Sequence, residues 1–183
     1  MLIAIIVVVV VLVLLVVGFN RLRRSDVSAQ EALGGMDVQL TRRADLVPNL
    51  VETVKGYAAH ERQVLDEVTR ARSAVAAAAA RADVPAKAAA DAELQQSLFR
   101  LNATAEAYPD LKANQNFLRL QQQLAETETQ LAFARTYYND AVASLNKLVA
   151  TVPWMFFTGI AGVEARQFYQ APAGQEQAPT VQF

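Results

Sequence analysis

The chain opens on MLIAIIVVVVVLVLLVVGF, which carries no charge and no strongly polar side chain, and NRLRR follows at once. Residues 2–19 form an unbroken apolar run of 18 residues, about 27 Å as a helix, which matches the hydrocarbon core of a bilayer. A lone span in lipid must satisfy its own backbone hydrogen bonds, so this valine-rich run is expected to be helical there despite its poor propensity in water. Nothing basic precedes Leu2 and no Ala-x-Ala follows the run, so it reads as a retained anchor rather than a cleaved leader. Arg21, Arg23 and Arg24 flank its C-terminal side and, by the positive-inside rule, put the body in the cytoplasm and a short N-terminus outside. Snorkelling of the same arginines to headgroups would give this geometry without fixing the side.

The remaining roughly 160 residues are enough for one domain with a real core. The absence of cysteine excludes disulfides, thiol catalysis and cysteine-based zinc sites. Seventeen basic and eighteen acidic side chains nearly cancel, so no overall field draws the protein to nucleic acid, which is not an expected partner. Ala, Leu, Gln, Glu and Arg dominate residues 29–150 while Gly and Pro are few, so the fold class is all-α.

Polar and proline-containing breaks at Asp83-Val84-Pro85 and Tyr108-Pro109-Asp110 divide the body into helical segments over about 25–81, 86–107 and 111–150. The third carries Phe117, Leu120, Leu124, Thr127, Leu131, Ala134, Tyr138, Ala141, Leu145 and Leu148 at 3-4 spacing, a coiled-coil-like seam. A similar seam in the first runs through Met36, Leu40, Arg43, Val47, Leu50, Val54, Tyr57, Glu61, Val64, Val68, Ala71 and Val75; the charges of Arg43 and Glu61 call for partners across the bundle. Leu94, Leu98, Leu101 and Ala105 supply the second segment. Gly34-Gly35 and Pro48 lie inside the first segment, and a bend is expected near Pro48, whose ring crowds the carbonyl of Ala44 and whose missing N–H removes its donor. A full break there, capped by Asp45, would make four helices. The alanine-rich stretch 74–82 permits a close helix approach, although low complexity alone also accounts for it.

The expected organisation is a membrane anchor with basic flank over 1–24 and an antiparallel bundle of three to four helices over 25–150. An apolar flap over 151–169 and a flexible Pro/Gln/Ala/Gly tail over 170–183 follow. The flap concentrates Trp154, Met155, Phe156, Phe157 and Ile160. Such a patch is expected to cover the end of the bundle, with an interfacial or subunit contact as the alternative.

No catalytic constellation emerges. His60 is the sole histidine and Tyr57 stands three residues before it, so a di-iron Glu-x-x-His pair cannot be assembled. His-Glu-x-x-His, Gly-x-Ser-x-Gly, Gly-x-Gly-x-x-Gly and a phosphate-binding Gly-Lys-Ser/Thr loop are absent. No metal or cofactor is expected. Polar residues do cluster: Arg42, Arg43 and Asp45 beside Pro48 and Asn49; Glu106, Lys112, Asn114 and Asn116 around Tyr108-Pro109; and Glu126, Glu128, Arg135 and Asn139 further on. Mutual pairing that fixes helix register is the expected role, since partly buried charges persist only when paired.

The runs MDVQLTRRADLVPNLVETVKGYA over 36–58, AEAYPDLKAN over 105–114 and ARTYYNDAV over 134–142 resemble the bacterial LemA family. The resemblance covers about 25–169 and implies a membrane-anchored helical bundle at the bacterial inner membrane, with no defined chemistry attached. The function expected is a non-enzymatic scaffold that self-associates as a homo-oligomer in the plane of the bilayer, where tethering raises effective concentration. The alternative is a docking module for another membrane or signalling protein, contacted through the region of Pro48, Tyr108 and Pro109. A hydrolase using Glu106, Glu128 and His60 is disfavoured by the missing motifs.

Overall fold

The computed structural model describes residues 1–170, so all of the expected tail but Gln170 lies outside the described residues. Among these residues there is no strand. The helices are α1 (Leu2–Lys55), α2 (Arg62–Ala79), α3 (Val84–Ala105), α4 (Pro109–Lys112), α5 (Gln115–Ala150) and α6 (Thr158–Ala161), with a 3-10 turn at Trp154–Phe157. The fold class is all-α.

Helix α1 passes through Gly34-Gly35 and Pro48 without interruption. Pro48 cannot donate to the carbonyl of Ala44, yet that oxygen is not orphaned: Arg72 reaches from α2 and donates from Nε at 3.3 Å. The break falls instead at 56–61, between α1 and α2. Tyr57 is therefore exposed and Glu61 precedes α2 as its cap residue, so neither continues the seam. In α2 the expected Val68, Ala71 and Val75 are buried, and Leu65 takes the place of Val64. Replacing Arg72 by alanine is expected to cost about 1 kcal/mol by leaving the Ala44 carbonyl without its donor. In Pro48→Ala, which restores the local donor, the same replacement should cost less. A double-mutant cycle by urea unfolding measures the coupling.

The other two breaks follow from capping. Asp83 accepts the Ala86 amide at 3.1 Å and Pro85 sits in the first turn, so Asp83-Val84-Pro85 starts α3. The expected single helix from 111 is split, because Asn114 Oδ1 accepts the amides of Asn116 at 2.8 Å and Phe117 at 3.1 Å and opens α5 afresh.

The chain forms two compact units. One comprises Met36–Phe133 together with Tyr169. Its core takes Met36, Leu40, Val47, Leu50 and Val54 from α1 and Leu94, Leu98, Leu101 and Ala105 from α3, with the α2 set above and Phe117, Leu120 and Leu131 from α5. Within the alanine-rich end of α2 only Val75 and Ala78 are buried, whereas Ala76, Ala77 and Ala80 are exposed. The other unit comprises Met1–Gly35 and Ala134–Phe168. Its core joins Leu22, Ala29, Ala32 and Leu33 of α1 to Tyr138, Val142 and Leu145 of α5 and to Ala161 and Val163. On α5 the deep position is Val142, with Ala141 at its margin. The apolar side chains before Gly18 stand almost entirely bare, as a lipid-facing helix requires.

Candidate functional site

In the unit that carries the apolar run, the 3-10 turn comes back onto the last turns of that run. The Arg21 guanidinium carbon lies 4.8 Å from the centre of the Trp154 ring, a cation–π contact. One turn earlier the Phe157 ring occupies the place of a side chain at Gly18: a Cβ there would come within 2.8 Å of Phe157 Cε2. Glycine is required at 18 by this close approach. Arg23 pairs with Asp26 at 3.6 Å, and Arg24 is exposed.

Asp26 has a second partner from far along the chain, as Arg166 Nε and Nη2 both stand 2.8 Å from its Oδ1. The extended segment bearing Arg166 is also fixed to α5. Asn146 donates to the Arg166 carbonyl and accepts its amide, each at 2.9 Å, and the buried Tyr138 donates to the Gln167 carbonyl at 2.9 Å. The expected flap is thus held by polar groups, and its apolar residues only partly cover the helices. Trp154 and Phe157 are half-buried while Met155, Phe156 and Ile160 are exposed.

In the other unit the central feature is ionic. Arg43, on the buried seam of α1, places Nη1 2.9 Å from Asp91 of α3 and 2.7 Å from Glu128 of α5. Asp91 also accepts the Tyr169 hydroxyl at 2.8 Å. Lys87, buried one turn before Asp91, pairs with Asp37 of α1 and donates to the last-turn carbonyl of Ala79 in α2 at 2.9 Å. Four helices are thereby tied together by groups that would be costly to bury unpaired.

At the loops, Tyr108 donates to Glu61 at 2.9 Å, Asn114 donates to the Tyr57 hydroxyl at 2.9 Å, and Lys112 pairs with Glu106. Pro109 starts the short α4. Pro48 and His60 are exposed on the surface. Arg42 and Asp45 line an open groove between α1 and the alanine-rich end of α2, apart from the buried Arg43. Among the described residues no group of three or more His, Asp or Glu is placed to hold a metal ion. Of the residues singled out by sequence, Arg21, Trp154 and Phe157 come together with Gly18. Arg43 joins Asp91 and Glu128, and Tyr108 joins Glu61. Gly18, Asp26, Lys87, Asp91 and Arg166 were not singled out, although Lys87 and Asp91 extend the Leu94, Leu98 and Leu101 spacing backwards.

Hydrogen bonding to Glu61 raises the pKa of Tyr108, and burial raises that of Tyr138. A raised tyrosine pKa means that the unfolded chain loses its proton first, near the ordinary value of 10.0. Stability from these groups is therefore full below pH 10 and falls as pH rises through it. Melting temperature in detergent is expected to decline above that pH, and the decline should flatten when Tyr108 and Tyr138 are both replaced by phenylalanine.

The chain is similar over its whole length to two proteins of Paramagnetospirillum magneticum, magnetosome protein MamQ 2 and magnetosome protein MamQ 1. Each is 23% identical over 207 aligned positions that cover 76% of the relative. The family model described as LemA family matches residues 32–183, which takes in all of the ionic core and the segment that returns to α1. With the matched span covering most of its length, this chain belongs to the LemA family.

Proposed function

We propose that this protein is a non-enzymatic, membrane-anchored helical scaffold whose copies associate laterally at the cytoplasmic face of the bacterial inner membrane. The observation that carries the anchor is the bare apolar surface of residues 2–17 on a helix that continues unbroken to Lys55. Gly18 and Leu22 belong to the packed core of their unit, so removal of the run as a leader would cut into that core. This supports retention. Arg21, Arg23 and Arg24 at the exit support a cytoplasmic body.

A structural role is supported by how the charged residues are used. Arg43 is paired with Asp91 and Glu128 and Lys87 with Asp37 between helices, and Glu106 and Glu61 are engaged by Lys112 and Tyr108. Confinement by one span raises the effective concentration of neighbouring copies, which makes weak lateral contacts productive. Phe99, exposed on α3, is an apolar group available to such contacts. Mass measurement of the full chain in lipid nanodiscs tests the reading, with particles of more than one copy expected. A strictly monomeric population across a concentration series rejects lateral association. Protease digestion of inside-out vesicles, which should degrade the body, tests the sidedness.

A further inference from the structure

We infer that the segment 154–160 is a second, shallow membrane contact, inserted into the same leaflet from which α1 emerges. This rests on the reading of residues 2–19 as a membrane span. Three contacts place the segment along α1 in order of depth. Ile160 and Phe157 form a wholly apolar notch with Leu15, Val16 and Phe19. Phe157 packs on Gly18, and Trp154 lies under the guanidinium of Arg21. The apolar end of the segment therefore matches the apolar end of the helix, and its indole matches the arginine at the boundary. Three residues of helix between Gly18 and Arg21 correspond to about 4.5 Å of depth, so the segment spans the transition from acyl chains to headgroups. Tryptophan beside arginine is the pairing expected at that level.

Phe156 at 69% and Ile160 at 66% exposure are the most open large side chains of the segment. In water such a cluster next to an arginine belt would be an unprotected apolar patch. Beside a membrane span it continues the lipid-facing surface of α1, and acyl chains are the occupant that this continuity selects. Together with α1, the contact defines a second point on the membrane plane and so limits rotation of the helix about its own axis.

The chain holds one tryptophan and no cysteine, so single probes report single positions. In the full chain reconstituted into phosphatidylcholine–phosphatidylglycerol vesicles, Trp154 emission should be quenched more by lipid brominated near the headgroup than by lipid brominated near the chain ends. Spin labels on F156C and I160C should meet oxygen more readily than a water-soluble nickel chelate, as a label on V16C does and one on H60C does not. If labels at 156 and 160 behave as at 60 while the label at 16 remains lipid-like, the second contact is wrong and the anchor stands. If the label at 16 is also water-like, the anchor itself fails. Strong spin–spin coupling at 156 or 160 with low access to both reagents would assign the patch to a second copy and overturn the inference. G18L should expel Phe157 and reduce the shallow quenching of Trp154 while V16C stays lipid-like; unchanged quenching would remove the packing that sets the depth.

Discussion

Replacing Arg43 by methionine is expected to destabilise the helical body by about 3–5 kcal/mol, a large part of the stability of an ordinary domain. The guanidinium stands between Asp91 and Glu128 at 2.9 and 2.7 Å, and the Asp91 side chain is 3% exposed. Removing the cation withdraws from that buried carboxylate the guanidinium 2.9 Å away, and a buried charge that loses an ionic partner is costly. Arg43→Lys retains the charge on a group of different shape and reach, so its loss should fall in between. The triple replacement Arg43→Met, Asp91→Leu, Glu128→Met removes all three charges and is expected to recover much of the stability, because packed apolar groups commonly equal a buried ion network. Urea unfolding of the full chain in detergent, followed by helical circular dichroism, separates these cases. Equal stability of Arg43→Met and the parent would show that the ionic core does not hold the helices together.

The seams of α3 and α5 were legible because their apolar residues are strictly periodic, and Phe117, Leu131, Tyr138, Leu145, Leu94 and Leu101 are buried as that period requires. Lys87 and Asp91 lie on the same period yet escaped notice, since charge type argues against burial while spacing argues for it. Spacing won because each charge finds an opposite partner on α1, and such partners have no local signature. Pro48 shows the converse. Its effect on the Ala44 carbonyl is a local rule, but the compensating donor, Arg72, comes from 28 residues away on another helix. The true break after Lys55 has only Gly56 to mark it, a weaker signal than proline.

The candidate interface divides in the same way. Arg21 and the aromatic cluster could be named from composition, whereas their juxtaposition with Gly18 depends on the return of the chain after α5. Asp26 and Arg166, which fix that return, are 140 residues apart. Carrying the α1 seam backwards from Met36 by steps of three and four does reach Ala29, Leu22 and Gly18.

Deleting residues 2–17 is expected to move the protein from the membrane pellet to a carbonate-extractable fraction, while the body keeps its helical content. The cut removes Leu15 and Val16 from beside Phe157 but spares Gly18 and Leu22, so the core around Tyr138 stays intact. A graded version places arginine within the run: at the centre of a span each costs about 2.5–3.5 kcal/mol, whereas each Val, Leu or Ile there contributes only about 0.3–0.6 kcal/mol. Val10→Arg alone should leave a membrane-bound chain, because the rest of the run still outweighs one charge. Val7→Arg with Val10→Arg and Leu14→Arg should not, since three such costs exceed what the remaining apolar residues supply. If the exposed aromatic residues touch lipid, the deleted chain retains a weak, peripheral attachment that carbonate releases, because a single shallow contact gives only reversible binding. Flotation before and after carbonate treatment distinguishes the three states, and carbonate-resistant membrane association of the deleted chain would refute the assignment of residues 2–19 as the anchor.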